Sequence, residues 1–367
     1  MRKSIPFYLL SLALALALVP QAFAQSSIPD VTTPVETAKR GQTGMKFLTV
    51  SIDPRATAMG GAVTAETQGN STALFYNPAS MARMEGTFSA SAGIAQYITN
   101  VQYNAASIAY RPAHGNYGVF GISLESVDYG DDFYETILTN KSDLYPEGFI
   151  QLGTFSPTAL QAGFGYARSF TDRFSVGAQV KYVLQDLGSF ARERVSDGGQ
   201  SLPDGTQAAY EKYSVSAPAV DFGILYNTGF RSLTIAMSTR NFGPERKYAL
   251  ESFEMPLTFQ IGVSMNLLDF TSLNPNVHAL QFAVDAERPR DFAEHLRLGG
   301  EYTYRNVLSL RAGWANAFVQ DGETEEGVSL GAGLQYRAST LGFGIDYAYT
   351  NFGIFGNVNR FAAHVSF

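Results

Sequence analysis

Apolar and polar residues alternate with period two through most of this chain, and few features restrict a fold more tightly. In 160–169, Leu160, Ala162, Phe164 and Tyr166 fall on one face, with Gln161, Gly163, Gly165, Ala167 and Ser169 on the other. In 174–185, Phe174, Val176, Ala178, Val180, Tyr182 and Leu184 oppose Ser175, Gly177, Gln179, Lys181, Val183 and Gln185. The same texture recurs in 257–266, 328–337 and 341–350. Successive strand side chains point to opposite faces, so these runs predict half-exposed β-strands. Fourteen such segments are present: 86–97, 101–112, 116–127, 158–169, 174–187, 216–228, 231–240, 255–267, 278–288, 295–305, 307–317, 327–337, 340–351 and 357–367.

The connections alternate as well. Thr171-Asp172-Arg173, Thr228 to Arg231, Asn306 and Ala338-Ser339 are tight, whereas 128–157, 188–215, 241–254 and 318–326 are long and polar. An even strand count with short turns at one end and long loops at the other predicts an all-β, 14-stranded antiparallel transmembrane β-barrel of the outer-membrane kind. Its apolar face ends in Tyr166, Tyr182, Tyr226, Tyr304, Tyr336 and Tyr349, which suit interfacial girdles. A soluble β-sandwich shares the period. It would turn Gly163, Gly165, Gly331 and Gly333 to water, and a charged content of 16% is thin for such a surface. The last segment ends on Phe367, a terminal aromatic of the type that barrel-insertion machinery reads.

The first residues carry Arg2 and Lys3, an apolar run from Ile5 to Val19, and Ala22-Phe23-Ala24, the pattern of a cleaved secretory signal peptide. The expected organisation is a signal peptide over 1–24, a flexible lead-in over 25–43, a compact turn-rich plug segment over 44–85, and the barrel over 86–367. Both chain ends are expected at the periplasmic, short-turn end. The expected location is the outer membrane of a Gram-negative type envelope, with outer-membrane lipid around the barrel.

No catalytic constellation, cofactor fingerprint or metal cluster stands out, and an enzyme is not expected. The chain has no Cys, which excludes disulfides and thiolate metal sites, and its net charge of −7 argues against a nucleic-acid partner. The four His lie in separate segments. The Gly-x-Gly pairs follow strand alternation, because no helical segment follows them. By parity the lumen face carries Lys181, Asp221, Asp285, Glu287, Arg297, Glu301, Arg305, Arg311, Arg337, Asp346, Arg360 and His364, expected to pair across strands. In 116–127, Val119 and Gly121 interrupt a polar lumen face, so a bulge is expected there. The long loops hold aromatic anchors of the kind that dominate protein recognition: Tyr129, Phe133, Tyr134, Tyr145, Phe149, Phe155, Phe190, Tyr210 and Tyr213.

Residues 44–82 carry Gly44-Met45-Lys46-Phe47-Leu48, Asp53-Pro54-Arg55-Ala56, Met59-Gly60-Gly61-Ala62 and Phe75-Tyr76-Asn77-Pro78-Ala79. This stretch resembles the start of the PorV/PorQ family of outer-membrane proteins, and its Gly-Gly-Ala and Asn-Pro-Ala elements are similar to the N-terminal plug of FadL-type transporters. The resemblance implies a 14-stranded barrel with an N-terminal segment inside, and kinship to the type IX secretion system, with translocon and cargo proteins as partners. It implies plug-motif roles for Asp53, Arg55, Met59, Gly60, Gly61, Asn77, Pro78 and Ala79. Asn77-Pro78 is expected at the turn where the plug leads into the first strand, and Arg55 is expected to pair with lumen carboxylates. The FadL side of the resemblance implies the alternative, passage of a hydrophobic small molecule.

Overall fold

A computed structural model describes residues 41–130, 133–138, 146–192, 209–248, 251–317 and 326–367. Eighteen strands are present among them: β1 (Phe88–Gln96), β2 (Gln102–Tyr110), β3 (Val119–Asp128), β4 (Phe133–Leu138), β5 (Phe149–Phe155), β6 (Thr158–Ser169), β7 (Phe174–Arg192), β8 (Ala209–Asn227), β9 (Thr234–Phe242), β10 (Arg246–Lys247), β11 (Ser252–Phe253), β12 (Thr258–Asn266), β13 (His278–Pro289), β14 (His295–Tyr304), β15 (Leu308–Ala317), β16 (Val328–Ala338), β17 (Leu341–Asn351) and β18 (Asn357–Ser366). Fourteen form a closed antiparallel barrel, each paired with its neighbours in the chain and β1 with β18. The pairs β4–β5 and β10–β11 are small separate hairpins within long loops. Closure leaves the barrel no free sheet edge, so every strand satisfies its backbone within lipid.

The two faces differ as a membrane barrel requires. Along β3 every second residue is buried, and Phe120, Ile122 and Leu124 point outward, each more than a third exposed. Ile94, Ile108, Phe164, Val180, Phe222, Leu330, Ile345 and Phe361 extend that apolar band around the wall. At its short-turn edge stand Tyr166, Tyr226, Tyr304 and Tyr336, all exposed. Phe367 joins them, stacked on Phe88 with ring centroids 5.1 Å apart, and the Phe88 and Phe367 backbones exchange hydrogen bonds that finish the β1–β18 seam.

Three local expectations need correction. β3 is regular, paired residue for residue with β2 and β6. Val119 and Gly121 belong to its inward face, where they meet Leu74 and Met81 of the N-terminal segment. Within the barrel the register shifts lie instead between β7 and β8, β8 and β9, and β14 and β15. Second, β7 continues to Arg192 and β8 begins at Ala209, so 188–192 and 209–215 are strand prolonging the wall rather than loop, and 193–208 lie outside the described residues. Third, Arg305 and Arg337 are exposed at the short-turn end rather than in the lumen. Arg305 sits in a turn at φ 53° with its guanidinium over the Tyr304 ring.

Residues 41–87 run along the inward face of the barrel. Thr43 and Gly44 bond at the long-loop end, to Asp291 and Glu254. Met45, Phe47, Leu48 and Ile52 pack in the adjoining half against Tyr103, Val127, Val183, Val215 and Met255. A short helix α1 (Pro54–Ala58) lies against β15, β16 and β17. Leu74, Met81 and Met84 then pack near the opposite end against Ala109, Val119 and Ala167. Thr87 donates to the Phe367 carbonyl as the chain enters β1. The first described residues therefore lie at the long-loop mouth and Phe367 at the short-turn end, while the expected place of the N-terminus falls on residues outside those described.

Candidate functional site

The segment carries two capped turns. Asp53 caps α1, its carboxylate accepting from the Arg55 amide at 3.0 Å, with Pro54 in the first helical position. The turn aims Arg55 at the wall. Its guanidinium donates twice to Glu301, at 2.9 and 3.2 Å, and also pairs with Glu66. Glu301 in turn pairs with Arg311, and Arg311 reaches Asp346 at 2.5 Å, with His364 at 3.4 Å from the same carboxylate. Arg55, Glu301, Arg311 and Asp346 are all under a tenth exposed. Such a chain compensates each charge only while all members stay. A second group ties Glu287 to Arg297 at 2.6 Å, and the Arg297 guanidinium reaches the Gly60 carbonyl at 3.3 Å.

Beyond α1 the backbone itself meets the wall. Gly60 and Gly61 adopt φ +63° and +78°, a conformation that residues with a Cβ rarely take. Met59, 1% exposed, packs with Ala56, Ala62 and Val63. The wall answers with glycines of its own. A Cβ on Gly313 would strike the Gly60 amide and the Met59 carbonyl carbon; one on Gly299 would strike the Met59 carbonyl. Gly331 faces Ala58, and Gly177 and Gly223 face Pro78 and Asn77. The inward glycines are therefore seats for the segment.

Asn77, Pro78 and Ala79 are buried in the lumen. Asn77 caps a 3-10 helix, Pro78–Arg83, by accepting from the Ala79 amide at 3.1 Å, and its side-chain amide donates to the Thr64 and Ile224 carbonyls. The step into β1 comes later, at Met84–Thr87, so Asn77-Pro78 does not make the exit turn. Proline fixes φ at a helix start there, and the buried amide bridges segment and wall.

Between segment and wall lies a small space of about 30 Å³, lined by Leu48, Ile52, Leu74 and Phe75 on one side and Glu125, Gln161, Lys181, Asp221 and Arg240 on the other. Lys181 pairs with Asp221 at 2.8 Å, and Arg240 donates to the Phe75 carbonyl at 2.8 Å. Glu125 and Arg240 escaped the sequence reading. The parity of Glu125 with Val119 and Gly121 marks it as inward once that face is recognised. On the outer side an apolar groove shares Gly93, Ala105 and Ala362 with this space.

The rim aromatics divide. Phe133, Tyr134 and Phe149, in the β4–β5 hairpin, are exposed by 39%, 57% and 43%. Phe133 also packs against Phe155 at a tilt, centroids 5.5 Å apart. Tyr129 turns inward, packs on the Met45–Phe47 cluster, and accepts a hydrogen bond from Gln185. Tyr213 is half-buried on β8; Phe190 and Tyr210 belong to the strands β7 and β8. Tyr145 lies outside the described residues. The described residues hold no His, Asp and Glu grouping suited to a metal.

A family model described as type IX secretion system membrane protein PorP/SprF matches residues 150–363. No curated protein sequence matches the chain. Among solved structures, the Pseudomonas putida toluene transporter TodX is similar over 85% of this chain and 96% of its own, with 15% identity and a TM-score of 0.53. The Ralstonia pickettii toluene transporter TbuX gives the same coverage with 14% identity and a TM-score of 0.52. A Pseudomonas aeruginosa FadL homologue covers 87% of this chain and 98% of its own at 12% identity, with a TM-score of 0.50. At such identity these likenesses concern the fold.

Proposed function

The chain belongs to the PorP/SprF family of type IX secretion system membrane proteins, and from that premise we propose that it is a non-enzymatic outer-membrane component that holds translocon or cargo proteins at its long-loop rim. In this reading residues 44–85 are a plug. Asp53, Arg55, Met59, Gly60, Gly61, Asn77, Pro78 and Ala79 fasten it, and Phe367 is the insertion signal. The observation that carries the proposal is the pairing of a filled lumen with an exposed aromatic hairpin. A barrel whose interior charges pair with one another and, through Arg55, with its own N-terminal segment is suited to binding at its rim rather than to conduction. Phe133, Tyr134 and Phe149 supply rigid anchors there. Kinship to PorV/PorQ is the finer part of the reading, supported by the 44–82 motif, which lies outside the matched residues.

The test is a pull-down from membranes with surface-cargo display read in parallel. Replacing Phe133, Tyr134 and Phe149 together by Ala is expected to lower partner recovery at least tenfold while heat-modifiable mobility is kept. Unchanged recovery and unchanged display in this variant and in a full deletion strain would defeat the proposal. The second reading, passage of a hydrophobic small molecule, is favoured by the apolar groove that shares wall residues with the inner space. It predicts a co-purified lipid or hydrocarbon by native mass spectrometry and loss of uptake on deletion.

A further inference from the structure

The two ends of the barrel carry charge differently. At the long-loop end four cations are spent on ion pairs: Lys46 with Asp291 at 2.5 Å, Lys212 with Asp186 at 2.7 Å, Arg288 with Glu294 at 3.2 Å and Arg290 with Glu254 at 3.1 Å. The short-turn end holds Arg168, Arg173, Arg231, Arg305 and Arg337, all exposed, and no Lys among the described residues. None of these five forms an ion pair among the described residues. The acidic side chains at this end are Glu85, Asp172 and Asp269. The Asp269 carboxylate is already taken by the Ser232 amide, at 3.0 Å, and the Ser232 hydroxyl. The arginines thus outnumber the carboxylates beside them, in a chain whose net charge is −7.

These arginines are set among aromatic rings at the edge of the apolar band. The chain has four aromatic–Arg dipeptides, Tyr110-Arg111, Phe230-Arg231, Tyr304-Arg305 and Tyr336-Arg337, and all four lie at the short-turn end. Arg168 follows Tyr166 on the outward face of β6. The Arg305 guanidinium stands 5.4 Å over the outward Tyr304 ring, and that of Arg231 stands 5.7 Å over Phe270. The Arg173 guanidinium rests against Gly229 so closely that a Cβ there would overlap it, which joins the 170–173 and 228–233 turns. Arg231 and Arg305 both sit at φ 53°, in the left-handed region where Gly or Asn is the ordinary occupant. Turn geometry therefore does not account for arginine at these two positions.

We propose that the short-turn end is a binding surface for anionic phospholipid, with Arg168, Arg231, Arg305 and Arg337 holding phosphate groups of the periplasmic leaflet. Short turns face the periplasm in barrels of this class. The rings sit at the acyl boundary, and each guanidinium extends to the phosphate plane. The planar fork of arginine takes two phosphate oxygens at once, which a lysine does not. An anionic headgroup supplies the counter-charge that the turns lack. The outward parity of Arg168 and the seat of Arg305 on Tyr304 aim these charges at lipid rather than along the barrel axis, where an acidic periplasmic protein would dock.

Native mass spectrometry of the barrel released from vesicles of equal phosphatidylglycerol and phosphatidylcholine reads the bound lipid directly. The wild type is expected to retain phosphatidylglycerol about tenfold over phosphatidylcholine, and Arg231→Gln, Arg305→Gln and Arg337→Gln together to lose most of that preference. Arg288→Gln with Arg290→Gln, at the long-loop end, should keep it. Raised salt should erode the wild-type preference, which tests the charge without any substitution. Heat-modifiable mobility shows that each variant is folded. Equal retention of the two lipids by the wild type, an unchanged preference in the folded triple variant, or an equal loss in the long-loop control overturns the proposal. So does an acidic periplasmic protein recovered with a wild type that shows no lipid preference, and lost from the triple variant, which would assign the surface to a protein. The lipid count needs no secretion partner, so failure of the rim-binding function would leave its outcome unchanged.

Discussion

Two stretches of the lumen segment are held in different ways. Gly41–Ile52 is fixed by side chains: Met45, Phe47, Leu48 and Ile52 bury against an apolar lining, and Asp291 latches the entrance. Asp53–Met84 is fixed by backbone approach and compensated charge, with glycine seats at 299, 313, 331, 177 and 223 and the chain Glu66–Arg55–Glu301–Arg311–Asp346. Apolar burial is non-directional and tolerates small shifts. A backbone seated on glycine tolerates no added carbon. The comparison teaches that the inner stretch sets the register of the segment and that the outer stretch can yield first.

The largest effect should follow from breaking the inner charge chain. Glu301→Gln leaves Arg55 and Arg311 buried without their shared counter-charge, and the expected loss is about 3–5 kcal/mol. Denaturant unfolding in detergent, followed by heat-modifiable mobility, measures it. A loss near that of an exposed pair would show that the network is not needed for the seat.

The next effect tests the glycine seats. Gly313→Ala puts a carbon into the Gly60 backbone, which cannot give without moving α1, and overpacking of this kind costs about 1–3 kcal/mol. Gly300→Ala is the internal control, since its Cβ meets only the Ala312 carbonyl at 4.0 Å. The pair should differ clearly in protease resistance of residues 44–85. Equal behaviour would mean that the segment does not depend on close approach.

Much of the barrel was legible because alternation is a local signal: each of the fourteen expected segments overlaps one barrel strand. The lumen segment was legible only through its motif, because its turns have no period and obtain their shape from the wall. Gly177 and Gly331 belong to a small-residue face in the sequence, but nothing local says that a second backbone rests on them or on Gly313. Glu125 and Arg240 were missed for a related reason. Val119 and Gly121 look like a broken polar face until Leu74 and Met81 are placed against them. Phe190 and Tyr210 look like loop residues in the sequence because its polar character hides the continuation of β7 and β8 beyond the apolar band.

The smallest effect concerns the outer latch and is read through pH. Burial works against charge on Asp291, but hydrogen bonds from Lys46 and Thr43, together with the Lys46 charge, outweigh it and hold the carboxyl below the usual aspartate range. A carboxyl with a depressed folded-state pKa stabilises the fold fully above its unfolded value, 3.8, and that contribution fades as the pH falls through the lower folded value. The latch is thus intact at neutral pH and loosens only below about pH 4. Asp291→Asn should mimic the loosened state at pH 7, with a stability change of about 1 kcal/mol or less, because Lys46 is partly exposed and the pair is screened. The sensitive readout is local. Protection factors at Gly44–Val50, each taken against the intrinsic exchange rate at the same pH, should fall in Asp291→Asn at pH 7 and in the wild type at pH 3, while the Asp53–Met84 amides keep theirs. An equal fall in both stretches would show that the segment opens as one unit and would erase the distinction between its two halves.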